Sequence, residues 1–297
     1  MPGKRRGSDD APLRRSCGTM AVHMMLLEKS PSFRARQFRL EQDFTRRRSA
    51  DVSLDKLAVV TVGVVVSVVY QTAVQNISDA QVRSQIDVLN RDFGATNPDR
   101  SKVPTPCKGL VTDSRIRFKL QGTRRVRTTK ASFTYDDDVK SASTGGIAPK
   151  TPTKYLNLWV CALGGGLLGY AQFPEGPAAT DGVVINYRAF GTTGTAQAPF
   201  KGGRTATHEV GHYFNLRHIW GDTEDCSGSD YVADTPNAAG PNYGTPAFPT
   251  VTCNNGPNGD MFVNYMDYVD DEAMFMFTAQ QVLRMQATLE GPRSGLR

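Results

Sequence analysis

HEVGHYFNLRH, residues 208–218, is the stretch that decides the fold, and it holds three of the chain's four histidines. On a helix, His208 and His212 lie one turn apart on the same face. Glu209 comes directly after the first histidine. His218 follows too late to share that face, so the chain has to turn sharply after the helix and bring the third imidazole back.

Asn215 stands where this turn is needed. A sharp helix end uses a residue with positive φ, which Gly adopts most easily and Asn at modest cost. Three imidazoles brought together in this way are a typical set of Zn²⁺ ligands that leaves a fourth position open. We therefore predict one zinc ion held by His208, His212 and His218, with Glu209 next to a zinc-bound water.

The net charge of +6 is unevenly distributed along the chain. Residues 1–50 carry 12 Lys/Arg and 5 Asp/Glu, which is 12 − 5 = +7, and the remaining 247 residues carry 23 and 24, which is 23 − 24 = −1. We call residues 1–50 the leader, and we expect one amphipathic helical piece within it. A processed or solvated extension explains such a segment better than a nucleic-acid arm does, because no basic and aromatic pattern follows in the body.

The longest apolar run, LAVVTVGVVVSVVY at residues 57–70, predicts a buried strand. It is rich in β-branched residues and shorter than the ~20 residues that a membrane helix needs. MPGKRRGSDD is not an export signal as written. The five cysteines are an odd number, and Cys226 and Cys253 lie in a Gly/Asn/Pro-rich region that weakly favours an oxidising compartment.

The periodicity of the body predicts an α/β (α+β) fold. A helix is expected at residues 78–93, backing a twisted mixed sheet, because Ser78 and Gln81 have capping-box spacing and Val82, Ile86, Leu89 and Phe93 form an apolar stripe. The helix that carries the histidines is expected at 204–216. Strands are expected at 57–70, 115–120, 155–163, 167–173 and 181–187, and residues 121–150 are interpreted as a polar surface excursion. After Trp220 we expect an irregular subdomain that ends in a helix at 278–289, which begins with a capping box of Thr278 and Gln281.

Several motifs in this order resemble one family. HEVGHYFNLRHIWGD, DYVADTP, NYMDYVDD and MFTAQQVLRM are similar to segments of the pappalysins, metzincin zinc peptidases with short bacterial members of the ulilysin and mirolysin kind. Asn215 stands where the metzincin zinc signature usually has Gly. The resemblance covers about residues 57–290 and implies a metzincin-like fold divided into subdomains 51–218 and 219–297.

The resemblance also implies roles for residues around NYMDYVDD. Met266 would belong to the Met-turn below the zinc, and Tyr268 would stabilise the transition state. Asp271 would form the base of a pocket that selects Arg or Lys after the scissile bond; Asp270 is its neighbour. Cys226 and Cys253 match disulfide-bonded positions, and Asp234 is a candidate ligand of a structural Ca²⁺.

Cys17 is far from any assignable disulfide partner, and a thiolate is a good zinc ligand. Related proenzymes carry a Cys-Gly segment that keeps them latent, and Cys17-Gly18 resembles it. We therefore expect residues 1–50 to be a latency segment and residues 51–297 the catalytic domain. The run Arg46–Arg48 then offers a processing site, with the mature chain starting near residues 49–55.

Together these features predict a secreted, monomeric zinc endopeptidase that acts on proteins or peptides, without a nucleic-acid or membrane partner. Two alternatives stay open. One is a zinc-stabilised binding module without catalysis. The other is a nucleic-acid binder that uses the leader, which would show salt-sensitive binding.

Overall fold

The computed structural model describes residues 14–48 and 57–297. Five strands form one mixed sheet in the order β2-β1-β3-β5-β4. The first four run parallel to one another, and β4 runs antiparallel to β5 at one edge. Their bounds are β1 Val60–Tyr70, β2 Ile116–Arg127, β3 Leu156–Cys161, β4 Gly169–Ala171 and β5 Val183–Asn186.

Five α-helices accompany the sheet: α1 Thr19–Lys29, α2 Pro31–Arg48, α3 Asp79–Phe93, α4 Arg204–Tyr213 and α5 Ala279–Glu290. The predicted caps are present. Ser78 accepts a hydrogen bond from the Gln81 amide at the start of α3, and Thr278 and Gln281 form a capping box at the start of α5. None of the helices in the described residues has the length and apolar character needed to cross a lipid bilayer.

The main core lies between one face of the sheet and helices α3, α4 and α5. Alternate residues of β1 enter it, and α3 contributes the apolar stripe that the sequence predicts, Val82, Ile86, Leu89 and Phe93. A smaller cluster on the other face contains Trp159 and Val184 and is covered by Phe133, Val139 and, from the leader, Val22. Burial on both faces explains the continuous apolar run of β1.

Two predictions about the elements are wrong. The leader was expected to hold one helical piece, but residues 19–48 form two helices. The second error concerns residues 121–127, assigned to a surface excursion, which continue β2 alongside β1. β2 is an edge strand whose outer half is largely solvent-exposed, so it does not show the apolar alternation by which a strand is recognised.

Candidate zinc active site

Helix α4 and the turn after it bring the three histidines together. Asn215 adopts φ +73°, as predicted, and the Leu216 amide donates to the Gly211 carbonyl at 3.0 Å. This left-handed residue reverses the chain and returns His218 to the helix face. The Nε2 atom of His212 is 3.1 Å from Nε2 of His208 and 3.1 Å from Nε2 of His218.

Each of these imidazoles has a partner at Nδ1. His208 faces the Tyr265 carbonyl at 2.7 Å, and His212 faces the Leu216 carbonyl at 2.7 Å. His218 Nδ1 lies 2.5 Å from Asp222 Oδ1. These acceptors place the ring proton on Nδ1, so all three Nε2 lone pairs face the same point.

That arrangement fits a zinc ion. Three buried lone pairs at these separations repel one another unless a cation lies between them. Cys17 Sγ adds a fourth donor, and the four ligand atoms all lie within 4.8 Å of one another. Burial and the neighbouring imidazoles lower the pKa of His208 well below its usual range, so its ring is neutral and available as a ligand.

Glu209 lies beside this cluster and is buried. Its Oε2 accepts hydrogen bonds from Thr19 Oγ1 at 2.8 Å and from the Cys17 thiol at 3.3 Å. Burial raises the pKa of Glu209 to about 7, although the two hydrogen bonds and the charge of Arg15 act in the opposite direction. A carboxylate with such a pKa can both accept and return a proton near neutrality.

The leader occupies the edge of the sheet at this site. Cys17 pairs with Gly169 of β4 in a parallel bridge. The Gly18 amide donates to the Gly169 carbonyl at 2.9 Å, and the Leu168 amide donates to the Ser16 carbonyl at 3.0 Å. Thr19 Oγ1 continues this contact by accepting from the Ala171 amide at 2.7 Å. The leader therefore uses the backbone groups of β4 that an extended peptide would need.

Arg15, two residues before the Cys17 that pairs with β4, is buried against Asp271, Val269 and Phe200. Its guanidinium donates to Asp271 Oδ1 at 2.6 Å and to the Val269 carbonyl at 3.1 Å, and it lies over the Phe200 ring. Both side chains of the Arg15–Asp271 ion pair are nearly fully buried. Asp271 also accepts from the Gly202 amide at 2.7 Å, so backbone contacts hold its carboxylate in place.

Met266 and Tyr268 lie below and beside the histidines. A Cβ at Gly211 would be 2.5 Å from Met266 Sδ, so the absence of a side chain at Gly211 lets the turn approach α4 closely. The Tyr268 ring centroid is 4.9 Å from that of His218 and 4.7 Å from that of Trp220. Burial raises the pKa of Tyr268 well above its usual range, so the hydroxyl keeps its proton.

The remaining predicted residues lie farther along the C-terminal subdomain. Cys226 and Cys253 form a disulfide with Cα atoms 5.8 Å apart, whereas Cys17, Cys107 and Cys161 are free. Among the described residues, the group of three or more side chains that could hold a metal ion does not include Asp234. Its oxygens accept from Thr278 Oγ1 at 2.7 Å and from the Gln280 amide at 3.0 Å, at the start of α5.

A second contact between leader and body was not predicted. Glu41 of α2 forms a two-pronged ion pair with Arg284 of α5, one arm of which joins Arg284 Nη1 to Glu41 Oε2 at 2.8 Å. Glu41 also lies 3.9 Å from Arg217. The other residues that sequence reasoning missed are Arg15, Thr19 and Asp222. The contacts of Arg15, Thr19 and Glu41 join positions far apart in sequence, so no local pattern predicts them. Asp222 is four residues after His218, and this spacing was the one signal available in the sequence.

The comparisons with known proteins agree with this geometry. The profile of the peptidase family M43, described as pregnancy-associated plasma protein-A, matches residues 146–290. An extracellular metalloprotease of Pyricularia oryzae is 34% identical over 226 residues, which is 74% of this chain and 70% of that protein. The chain belongs to this family. Extracellular metalloprotease 1 of Coccidioides posadasii is 32% identical over 230 residues, or 74% of this chain and 72% of that protein.

Solved structures extend the M43 assignment to the fold. Mature mirolysin of Tannerella forsythia, in complex with a cleaved peptide, matches with a TM-score of 0.79 at 46% identity, over 81% of this chain and 96% of that chain. A mutant of Tannerella forsythia promirolysin matches with a TM-score of 0.84 at 40% identity, over 95% and 97%. The M43 chain is thus a metallopeptidase with the expected metzincin-like mixed α/β fold, and the pappalysin resemblance is confirmed.

Proposed function

We propose that this M43 peptidase is a secreted zinc endopeptidase, made in latent form, that cleaves proteins before arginine or lysine. The single observation that carries the proposal is the leader's path. It places an arginine on Asp271, a thiol at the histidine cluster and a hydroxyl on Glu209. One segment thus reaches the specificity pocket, the metal position and the general base of a peptidase.

The three histidines would hold the zinc ion. When bound, zinc supplies Lewis-acid chemistry at the scissile carbonyl and at the attacking water. The Nδ1 partners of the histidines fix the ring orientations, which keeps the three Nε2 atoms directed at one point. Met266 supports this cluster from below through its contact with Gly211.

Glu209 would be the general base and then the general acid. It would take the proton of the attacking water on its carboxylate and return that proton to the leaving amine. The neutral hydroxyl of Tyr268 would donate a hydrogen bond to the oxyanion of the tetrahedral intermediate. The edge strand β4 would hold the peptide backbone by strand addition, at the groups that the leader now uses.

Asp271 would select the residue after the cut. The buried contact between Arg15 and Asp271 supports a preference for Arg, because a guanidinium and a carboxylate form strong charge-assisted hydrogen bonds in a desolvated pocket. The aromatic ring of Phe200 adds a face on which the planar guanidinium packs. A Lys ammonium could reach the same carboxylate with one bond.

Residues 1–50 would be a latency segment. Promirolysin matches 95% of this chain and mature mirolysin 81%, which supports a precursor that loses its N-terminal part. Cys17 would occupy the open metal position, and Thr19 would occupy Glu209. Processing is expected at Arg46–Arg48, at the C-terminal end of α2; residues 49–55, where the mature chain would start, lie outside the described residues.

Secretion is supported by the relatives named extracellular metalloproteases and by the disulfide Cys226–Cys253. The monomeric state stays a prediction, which size-exclusion chromatography with light scattering would check. So does a structural Ca²⁺ near Asp234. To bind the ion, the Asp234 carboxylate would have to give up its contacts with the start of α5. Because a ligand of the folded state stabilises it, added Ca²⁺ should raise the unfolding temperature if the ion binds there.

The proposal is tested with a peptide library and the zinc chelator 1,10-phenanthroline. Processed wild-type protein should cleave before Arg or Lys, and the chelator should abolish cleavage. Glu209→Ala should remove activity while the zinc content, measured by atomic absorption, stays at one per chain. Glu224→Ala, an exposed glutamate on the loop after His218, is the matched control. Activity in Glu209→Ala with zinc bound would disprove the mechanism.

The two alternatives give different results in the same experiment. A zinc-stabilised module without catalysis would bind zinc and unfold at a lower temperature without it, but cleave nothing. A nucleic-acid binder would retain DNA in a salt-sensitive way that is lost when residues 1–50 are removed. The buried position of Arg15 takes one of the leader's basic residues away from such a surface.

A further inference from the structure

The contact between Glu41 and the body is a close ion pair with a buried arginine, as is the one at Asp271. Arg284 is fully buried, and its Nε donates to the Asn215 carbonyl at 2.5 Å. Its two terminal nitrogens both donate to the Glu41 carboxylate. Arg217 lies beside it with its side chain 17% exposed. We call Arg217 and Arg284 the arginine pair.

The arginine pair depends on the leader for its negative partner. The ion pairs that the structure records for both arginines go to Glu41. The Nε atom of Arg217 is buried without a hydrogen-bond partner. Two cations side by side with one carboxylate between them are unfavourable once that carboxylate is removed, because the remaining charges repel and are incompletely solvated.

The arginine pair is also contacted by the same leader that crosses the histidine cluster. The leader runs past Asp271 with Arg15, past the histidines with Cys17, and past the Ala171 amide with Thr19. Farther along the leader, Gln37 Nε2 donates to the Pro174 carbonyl at 2.6 Å, just beyond β4. The region beyond β4 is thus on the far side of the histidines from Asp271.

Phe173 joins this region to the metal cluster. Its ring centroid is 5.6 Å from that of His212, and the Arg217 guanidinium lies 5.7 Å from the same ring. The Cζ atom of Arg217 also lies 5.0 Å from the centroid of the Tyr231 ring. Arg217 is therefore close enough to the metal cluster to contact a substrate side chain a few residues from the scissile bond.

From these contacts we infer that the arginine pair is a substrate subsite for an acidic side chain located a few residues before the scissile bond, covered by Glu41 while the leader is in place. The inference rests on the proposed peptidase function, because the side of the cut is defined by Asp271. A substrate glutamate would replace Glu41 on Arg217 and on the part of Arg284 that removal of the leader would uncover. Its carboxylate would form the same charge-assisted bonds.

The test uses the protein that remains after the full chain has been processed and its leader removed, and mass spectrometry checks that the leader is gone. The probes are peptides with Arg after the cut and Glu at one of the four positions before it, each paired with the same peptide carrying Gln. At one of the four positions, the Glu peptide should have a kcat/KM about fivefold to tenfold higher, mainly through a lower KM, and the gain should shrink in high salt.

Variants separate the subsite from general effects. Arg217→Gln should remove most of the Glu-over-Gln preference, a ratio in which any general change of activity cancels, while Arg217→Lys should keep part of it. Arg284 is left intact because its bond to Asn215 supports the metal loop. Arg83→Gln, which removes an exposed charge from α3, is the matched control and should change nothing.

Equal rates on the Glu and Gln peptides at all four positions in the wild type would overturn the inference, and so would a preference that survives Arg217→Gln. Failure of the peptidase function looks different, because no peptide would then be cleaved. In that case fluorescence anisotropy of a labelled Glu peptide still decides, since binding needs no turnover. Tighter binding of the Glu than the Gln peptide by the wild type, but not by Arg217→Gln, would support the subsite, and equal binding would overturn it.

Discussion

Asp222 Oδ1 lies 2.5 Å from His218 Nδ1, whereas His208 and His212 direct their Nδ1 atoms at backbone carbonyls. Of the three proposed zinc ligands, His218 is thus the one with a charged partner. A carboxylate behind a histidine fixes its tautomer and makes the opposite nitrogen a stronger donor to a metal. Because His218 is on the loop after α4 rather than on the helix, this contact also holds its ring in place.

We expect Asp222→Asn to weaken zinc binding about tenfold, since the amide keeps the contact but loses the charge. The rate of zinc transfer to a chromophoric chelator measures this without reference to activity. Glu224→Gln, on the same loop, is the control. An unchanged transfer rate in Asp222→Asn would show that Asp222 does not support the metal site.

Latency should depend on Thr19 as well as on Cys17, because Thr19 Oγ1 donates to Glu209 and accepts from the Ala171 amide. Cys17→Ala is expected to shorten the lag before self-processing, and Thr19→Val to shorten it by a smaller factor. Thr129→Val, at an exposed threonine of the body, is the control. Gel time courses of the full chain give the lag. If Thr19→Val and wild type process at equal rates, the hydroxyl has no part in latency.

Asp271→Asn should lower the preference for Arg over Leu after the cut by about tenfold or more, because a charge-assisted pair becomes a neutral hydrogen bond. The ratio of kcat/KM for matched peptides measures the change. Asp270→Asn, at the neighbouring more exposed carboxylate, should leave the ratio unchanged. A preserved Arg preference in Asp271→Asn would place the pocket elsewhere.

Acid should loosen the leader through His23. His23 packs edge-on against Phe33 and Phe173, and its Nδ1 is buried without a partner. Burial, with a smaller effect of Arg217, lowers the pKa of His23 from 6.5 to about 4, while Glu41 and Asp222 act in the opposite direction. The folded form prefers the neutral ring, so this stability is fully present above pH 6.5 and is lost as pH falls from about 6.5 to 4.

The corresponding measurement is the unfolding temperature of the leader-containing chain between pH 7.5 and 4.5, in a Glu209→Ala background that prevents processing. Over this range the free energy of unfolding should fall by up to about 3 kcal/mol more in the protein with His23 than in His23→Phe, whose ring cannot take up a proton. Parallel pH profiles for the two proteins would contradict the assignment.

Gly211→Ala should destabilise the protein by about 1–3 kcal/mol, because the new methyl group would meet Met266 Sδ at 2.5 Å inside a packed core. Thermal unfolding measures the loss. Gly240→Ala, where a Cβ meets nothing within 4 Å, is the control. An unchanged unfolding temperature in Gly211→Ala would mean that the turn below the zinc site adjusts without cost.

Local signals predicted the parts of the fold that depend on neighbours in sequence. The caps of α3 and α5, the turn at Asn215 and the shared face of His208 and His212 are all set within a few residues. The length of β2 was not predictable in this way, because its outer half is a polar edge that becomes a strand only by pairing with β1.

The leader's contacts were the least predictable part. Arg15 meets Asp271 across 256 positions, and Glu41 meets Arg284 across 243. No periodicity connects such residues, since their separation is fixed by the folded sheet and not by the chain. The expected roles of Cys17 and Asp271 came from family resemblance, and the arginine that joins the leader to Asp271 had no sequence signal at all.

The parallel pairing of Cys17 with Gly169 has a consequence for the behaviour of the newly made chain. β4 is the last strand at its side of the sheet, and an uncovered last strand is a template on which another copy can add a strand and aggregate. The leader occupies that template in the unprocessed chain. If residues 1–50 keep the enzyme latent as proposed, protection from aggregation during folding and inhibition of the active site would be provided by the same few backbone hydrogen bonds, and removal of the leader would end both.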